Sequence, residues 1–247
     1  MTTPRVVLIT GGGTGIGQAT AELFAEHGWQ VVISGRRAAP LAEVAGRHAG
    51  IRYHVADITD ADQAAELIAR TTERNGRLDA LVNNAGSFIP TTAETATPAA
   101  ITELFQTNVF APSQLVHAAI PHLKVAGGAV VNVTSAAAQR PQTPGAAFYG
   151  ASKAALDYLT KSWAAELAPA NIRVNAVAPG PTDTPIQNAA GSPDDVERGK
   201  KRQAEMLPLR RMGDPIEVAR WIHLLAEPAA DWVTGQVIAV DGGMTIA

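Results

Sequence analysis

The sequence predicts a doubly wound α/β sheet, and three observations carry that expectation. Short runs rich in Val and Ile recur at 6–9, 31–33, 51–55, 78–82, 129–133, 172–177 and 237–240. Several are apolar at consecutive positions, as strands buried on both faces are. Longer amphipathic stretches lie between them, near 16–27, 38–48, 60–75, 98–123, 150–168 and 214–226. Such alternation builds a mostly parallel sheet, here seven-stranded, with helices on both faces. Finally, no linker, low-complexity tract or repeat divides the 247 residues. Residues 1–247 therefore read as a single domain.

Helix starts support the parse. Thr97-Pro98 and Asp214-Pro215 each place a capping side chain before a proline at the first helical position. Ser192-Pro193-Asp194-Asp195 repeats the pattern with an acid three residues after the cap. The segment 184–213 is the least strand-like part and reads as an insertion before the last helix–strand unit.

Composition narrows the function. The chain is 46% hydrophobic and 17% charged, enough apolar material for a sizeable core. Net charge is -3, from 20 basic and 23 acidic residues, so dedicated nucleic-acid binding is not expected. There is no cysteine, which removes disulfides, thiolate metal sites and a Cys nucleophile. Histidines stand at 27, 48, 54, 117, 122 and 223, in neither H-x-x-x-H nor H-E-x-x-H spacing, and no metal is expected. The run 6–9 is too short for a signal segment, and no stretch reaches the roughly 18 apolar residues of a membrane helix. The expectation is a soluble, cytoplasmic protein with no membrane partner.

The first strand leads into Thr10-Gly11-Gly12-Gly13-Thr14-Gly15-Ile16-Gly17, which opens the first helix. Glycine lets backbone approach a ligand closely, and a helix N-terminus offers free N–H groups to a pyrophosphate. A Walker loop needs Lys and Ser/Thr after its last Gly, but Gln18-Ala19 follow Gly17. The G-x-G-x-x-G spacing also fails. G-x-x-x-G-x-G at Gly11, Gly15 and Gly17 fits, and points to a dinucleotide.

The second strand bears on which dinucleotide. NAD-binding sheets usually place an acid there to hold the ribose 2′-hydroxyl. Here the strand ends Ile33-Ser34-Gly35-Arg36-Arg37, with two guanidinium groups and no carboxylate. Arginine pairs with a 2′-phosphate through charge-assisted hydrogen bonds. NADP(H) is favoured over NAD(H), against the plain alternative of a solvated turn.

Tyr149 and Lys153 share one face of a helix, at the head of a stripe through Leu156, Thr160, Trp163 and Leu167. A free phenol has a pKa near ~10, too high for ready proton exchange at neutral pH. A neighbouring ammonium lowers it, and a phenol tuned this way can protonate a carbonyl oxygen or deprotonate an alcohol. From spacing alone, an ordinary Tyr and Lys at a helix start fit equally well. G-x-S-x-G, the mark of a serine hydrolase, is absent around Ser152.

Together these motifs resemble the short-chain dehydrogenase/reductase family, in its compact single-domain branch with members like 3-oxoacyl-(acyl-carrier-protein) reductase. The likeness covers nearly the whole chain. It extends through Asp57-Ile58, Asn83-Asn84-Ala85-Gly86, Asn108, Ser135, Pro179-Gly180 and Gly235…Val240-Asp241-Gly242-Gly243. The resemblance implies a Rossmann fold and these roles. Tyr149 is the general acid/base, and Lys153 lowers its pKa and holds the nicotinamide ribose. Ser135 orients the substrate oxygen, and Asn108 anchors a water that relays protons to Lys153. Gly11, Thr14, Gly15, Ile16 and Gly17 cradle the pyrophosphate, with Arg36 and Arg37 at the 2′-phosphate. Asp57 and Ile58 meet the adenine, and Asn84, Ala85 and Gly86 line the adenosine ribose. After Pro179-Gly180, Thr182 and Thr184 reach the carboxamide. Position 182 is usually aliphatic in the family, and the loop from Ser135 to Tyr149 is about one residue longer than is common there; both weaken any transfer of substrate identity.

The resemblance implies an NADPH-dependent oxidoreductase that reduces a ketone or 3-oxoacyl-type carbonyl to an alcohol. It further implies a homotetramer built through the long helices and C-terminal strand, with 184–213 as a substrate lid. The alternatives are an enzyme working mainly in the alcohol-oxidising direction, a relative using the same tyrosine for epimerisation or dehydration, and a non-catalytic NADP(H)-binding regulator. Arg198-Gly199-Lys200-Lys201-Arg202 reads as a solvated helix face, with an acidic carrier or a coenzyme A phosphate as the alternative contact.

Overall fold

A computed structural model describes residues 4–140, 145–185 and 193–247, the side chains of Asn75 and Pro193 apart. The expected cap Ser192 and loop positions 141–144 lie outside the described residues. The strands are β1 (Val6–Thr10), β2 (Gln30–Gly35), β3 (Ile51–Val55), β4 (Ala80–Asn83), β5 (Ala129–Val133), β6 (Arg173–Pro179) and β7 (Val237–Val240). They form one parallel sheet in the order β3-β2-β1-β4-β5-β6-β7. The order reverses between β1 and β4, where open α/β sheets leave a crevice at the strands' carboxyl ends. This is the doubly wound Rossmann sheet that the sequence predicts.

Along β1, Val6 and Leu8 join one apolar cluster, and Val7 and Ile9 join another. Side chains on a strand alternate faces, so a strand covered on both sides must be apolar throughout. The helices are α1 (Gly15–Glu26), α2 (Ala38–Arg47), α3 (Ala61–Asn75), α4 (Pro98–Phe105), α5 (Ala111–Ala126), α6 (Ala147–Leu167), α7 (Pro193–Met206) and α8 (Pro215–Ala226). One layer holds Leu67 and Ile68 of α3, Leu115 and Leu123 of α5, and Ala164 of α6. The other holds Phe24 of α1, Leu41 and Val44 of α2, and Ile222 and Leu225 of α8. Each large side chain buried this way contributes about 2 kcal/mol.

Caps behave as their residue types dictate. Thr97 Oγ1 accepts from the Ala100 N–H at 3.2 Å. Asp214 accepts from the Ile216 N–H at 3.0 Å, and Glu217 accepts from the Asp214 N–H at 2.8 Å, completing a capping box. The expected single helix over 98–123 is instead α4 and α5 joined by a π-helical turn, Gln106–Phe110. The helix α5 runs on to Ala126, past Pro121, and stops at Gly127, where φ is +61°. Its relative α6 begins at Ala147, ahead of the expected 150, and Ala146 supplies no side-chain cap.

The insertion is closed at its base. Thr182 and Gly213 form a parallel bridge; the Gly213 N–H donates to Pro181 O and the Asp183 N–H to Gly213 O, each at 2.9 Å. Within it, Arg198 pairs with Asp195 and Lys200 with Asp183.

Candidate active site

The chemistry-bearing side chains converge at the carboxyl ends of β4 and β5, where α6 begins. Ser135 follows β5, and its Oγ accepts from the Ala137 N–H at 3.2 Å, capping a short 3-10 turn. The same side chain is hydrogen-bonded to Tyr149. Phe88 meets the Tyr149 ring edge-on, with centroids 5.2 Å apart. One helical turn on, Lys153 is only 4% exposed. Its Nζ donates to the Val133 carbonyl at 2.9 Å.

Asn108 sits in the π-helical turn, fully buried. Such turns are often found at functional sites. Its Oδ1 accepts from the Ser87 N–H at 2.9 Å. Its Nδ2 donates to Ser87 O and to Ser152 Oγ, each at 3.0 Å. Ser152 in turn donates to Tyr149 O at 2.7 Å. Ser152 was not among the expected site residues, although its place between Tyr149 and Lys153 was the available signal. Gly86 completes the cluster: a Cβ there would lie 3.2 Å from both Asn108 Oδ1 and Lys153 Nζ.

Burial pushes the Tyr149 phenol above its ordinary value, and the Ser135 hydrogen bond opposes the rise. The Lys153 ammonium is turned to Val133 and stands 6.0 Å from the phenol ring centroid. Burial brings Lys153 itself down to about 8, against the attraction of Asp157.

The glycine segment lies across the crevice. Gly11 and Gly15 have φ of +66° and +56°, backbone that favours glycine. A Cβ on Gly17 would meet Gly11 O at 2.2 Å, so only glycine lets α1 start this close to the loop. Thr14 is the N-cap of α1, without a side-chain cap bond, and Ile16 packs on the α1–α2–α8 layer. Asn84 Nδ2 donates to Thr10 O at 2.8 Å and Gly11 O at 3.2 Å, and Thr10 Oγ1 accepts from the Asn84 and Ala85 N–H groups. Asn84 thus ties the loop after β4 to the glycine segment through Thr10, which the sequence reading quoted with the motif without giving it a role.

Arg36 and Arg37 are exposed at the end of β2, with no carboxylate bound to either among the described residues. Asp57 Oδ1 accepts from Thr59 N and Oγ1, at 3.0 and 2.7 Å. Ile58 is buried in the α3 layer. Thr184 faces Gly15, where an added Cβ would lie 3.1 Å from it. Thr182 behaves otherwise: it is buried after Pro179-Gly180, and its hydroxyl donates to Gly180 O at 2.9 Å.

A cleft of about 510 Å³ lies elsewhere, at the free edge of β3 beside Arg52, Tyr53, His54, Arg70 and Arg74. Charged side chains along an edge strand protect it from pairing, and none of the site residues lines this cleft.

A family model described as enoyl-(acyl carrier protein) reductase matches residues 11–245. The 3-oxoacyl-(acyl-carrier-protein) reductase FabG of Thermotoga maritima is 39% identical over 98% of this chain and 98% of its own. The chain belongs to the short-chain dehydrogenase/reductase family. It is therefore an oxidoreductase of the class acting on carbonyl and alcohol groups. Among solved structures, the 3-ketoacyl-(acyl-carrier-protein) reductase of Brucella melitensis complexed with NADH superposes with a TM-score of 0.90, at 32% identity over 98% of both chains. A variant actinorhodin polyketide ketoreductase with NADPH superposes at 0.92, with 27% identity, over 99% of this chain and 98% of that one. Members of the family thus take either dinucleotide. Among the described residues, no helix is long and apolar enough to cross a membrane.

Proposed function

We propose that this short-chain dehydrogenase/reductase is an NADPH-dependent carbonyl reductase with Tyr149 as its general acid/base. The observation that carries the reading is the convergence of Ser135, Tyr149 and buried Lys153 at the mouth of the crevice. The glycine segment suits a dinucleotide: Gly11 and Gly15 take positive φ and α1 starts there, so free N–H groups of the helix start would meet a pyrophosphate. Gly11, Thr14, Gly15, Ile16 and Gly17 would hold the pyrophosphate, with Thr184 beside them. Asp57 and Ile58 would hold the adenine, Asn84-Ala85-Gly86 its ribose, and Arg36 and Arg37 a 2′-phosphate. When bound, the reduced nicotinamide supplies a hydride to the carbonyl carbon.

The chain's own groups handle the oxygen. Ser135 donates a hydrogen bond to it and stabilises the growing negative charge. Tyr149 gives its phenolic proton to the same oxygen, completing the alcohol. The nearby Lys153 ammonium stabilises the phenolate left behind and would hold the nicotinamide ribose. Asn108 orders the backbone around Ser87 and Ser152, beside the path by which Lys153 exchanges protons with water. The segment 184–213 acts as the substrate lid of a single 1–247 domain, and Thr182 and Thr184 at its start would meet the nicotinamide carboxamide.

We also infer a cytoplasmic homotetramer. Exposed Phe110 in the π-helical turn, Tyr158 on α6 and Ile246 near the C-terminus suit burial between copies. Light scattering should give about four times the 25.7 kDa chain mass.

The deciding experiment follows NADPH and NADH consumption against acetoacetyl thioesters, cyclic and aromatic ketones, diketones and sugars. Preferential NADPH oxidation with one class supports the reading. Arg36→Ala should then weaken NADPH binding far more than NADH binding, and Tyr149→Phe should abolish turnover with cofactor affinity nearly intact. Binding of NADPH with no turnover of any class would favour a regulator instead.

A further inference from the structure

The cleft of about 510 Å³ at the free edge of β3 lies apart from the crevice. Its volume falls within the roughly 300–1,000 Å³ of small-molecule sites. It wraps the strand edge, reached by Ala45 of α2 from one sheet face and by Arg70, Glu73 and Arg74 of α3 from the other. Val32 and Ile51, both buried, give it an apolar lining, and the exposed Tyr53 stands beside them. Backbone bonds turn Gly50 O and the Ala56 N–H toward β2. Such groups alternate sides along a strand, so the Tyr53 N–H points to the free edge.

The charges in the cleft are unbalanced. Arg52, Arg70 and Arg74 line it against a single carboxylate, Glu73. Arg70 is already committed: its Nε and Nη2 donate to Glu66 Oε1 at 2.9 and 2.6 Å. Arg52 and Arg74 have no carboxylate partner among the described residues. Like charges gathered in a recess focus a positive potential, which attracts an anion. His54 lies among them. Burial lowers its pKa, Arg70 and Arg74 add to the fall, and Glu66 opposes it. The ring is therefore uncharged at neutral pH and can still donate one N–H.

We propose that this cleft binds a phosphate monoester with a small apolar body, its phosphate between Arg52 and Arg74 and its body on Val32, Ala45 and Ile51. A phosphate monoester carries nearly two negative charges at neutral pH and three acceptor oxygens. Two unpaired guanidinium forks match that charge better than they match the single charge of a carboxylate. The apolar lining would cover an aromatic or short acyl body, which inorganic phosphate lacks. Binding here is independent of the carbonyl chemistry.

Calorimetry on the full chain, with phenyl phosphate as the probe, tests the site. Arg52→Ala and Arg74→Ala should each weaken binding about tenfold. Glu73→Gln should tighten it about threefold, since a like charge is removed. Inorganic phosphate should bind about tenfold more weakly than phenyl phosphate. Arg36→Ala removes the other cluster that could take a phosphate, and should leave the affinity as it is. No binding at about 10 mM phenyl phosphate overturns the proposal. So does an affinity unchanged in both Arg52→Ala and Arg74→Ala, or one lost in Arg36→Ala. Equal affinity for inorganic phosphate overturns the apolar body. A second readout fixes the location. Histidine NMR follows the His54 ring, with His54→Asn to assign its signal. An anion beside the ring favours the imidazolium, so saturating phenyl phosphate should raise the pH at which His54 titrates. A titration that stays put while heat is released places the probe elsewhere and overturns the site.

Discussion

At the amino end of the sheet, Arg5 Nη1 lies 2.7 Å from Glu227 Oε2 and its guanidinium stacks over Trp29 at 4.5 Å. Trp29 Nε1 donates to Glu227 Oε1 at 2.9 Å, and His223 Nε2 stands 3.3 Å from that oxygen. At the carboxyl end, Lys153 has one backbone carbonyl and a carboxylate a helical turn away. Both ends take a cation partly or wholly from water. At one end a cage of partners compensates it, and at the other most of the penalty is left standing. The first arrangement holds α1, α8 and the start of β1 together. The second keeps an amine near its titration point, where a proton can be exchanged.

Replacing Lys153 gives the largest expected effect, in opposite directions for activity and stability. Lys153→Met should lower turnover about 10³-fold. Burial holds the amine at about 8 instead of 10.5, so the folded state binds fewer protons than the unfolded chain between those values. Stability of the parent protein should therefore rise with pH across that window. At neutral pH the charged lysine costs about 3 kcal/mol. Methionine leaves the Val133 carbonyl unpaired, so the net gain should be about 1–2 kcal/mol. Urea unfolding at pH 7 measures it, and lost turnover without a gain in stability would break the comparison.

The opposite end should respond in reverse. Glu227→Gln should cost about 2 kcal/mol in urea unfolding, with kcat and KM unchanged. A kinetic effect would mean that the two ends are coupled. Acid should loosen the same cage in two steps. Burial lowers His223, with His27 and Arg5 adding to it against Glu227, so stability is lost as pH falls through about 6.5. Burial works to raise Glu227, but the bonds from Trp29 and Arg5 outweigh it and hold it low, so a second loss begins below about 4.5. Thermal melts from pH 8 to 4 should show both steps, and Glu227→Gln should remove the second. The smallest effect belongs to His27→Ala. The two imidazoles stand 4.4 Å apart, and His27 helps to hold His223 down, so removing it should raise His223 toward its ordinary value and make the first acid step smaller.

What the sequence made legible follows the same division between local pattern and distant contact. The inner strands were readable because each is a short apolar run that must face two layers, and the half-exposed edge strands β3 and β7 because Val and Ile still recur in them. The glycine segment and the Tyr149–Lys153 interval were readable because their chemistry depends on fixed local spacing. The break at Gln106–Phe110 was not, since a π-helical turn follows no propensity; it forms where Asn108 reaches Ser87 and Ser152. The start of α6 was misplaced because Ala146 carries no capping side chain. Lys153 turns to a backbone carbonyl, which no residue type announces. Arg5 with Glu227 passed unnoticed, because their meaning arises only when distant segments meet.

The bridge between Thr182 and Gly213 has a bearing on how such a chain diversifies. Two short backbone bonds bring the ends of the insertion together on the rim of the sheet. Lengthening a closed loop costs only slowly more entropy, about 0.6 kcal/mol per doubling. The stretch between those ends is therefore a replaceable cassette in a fixed socket. Selection, or a protein engineer, can exchange it for one of different length and polarity while the strands, the glycine segment and the Ser135–Tyr149 pair stay untouched.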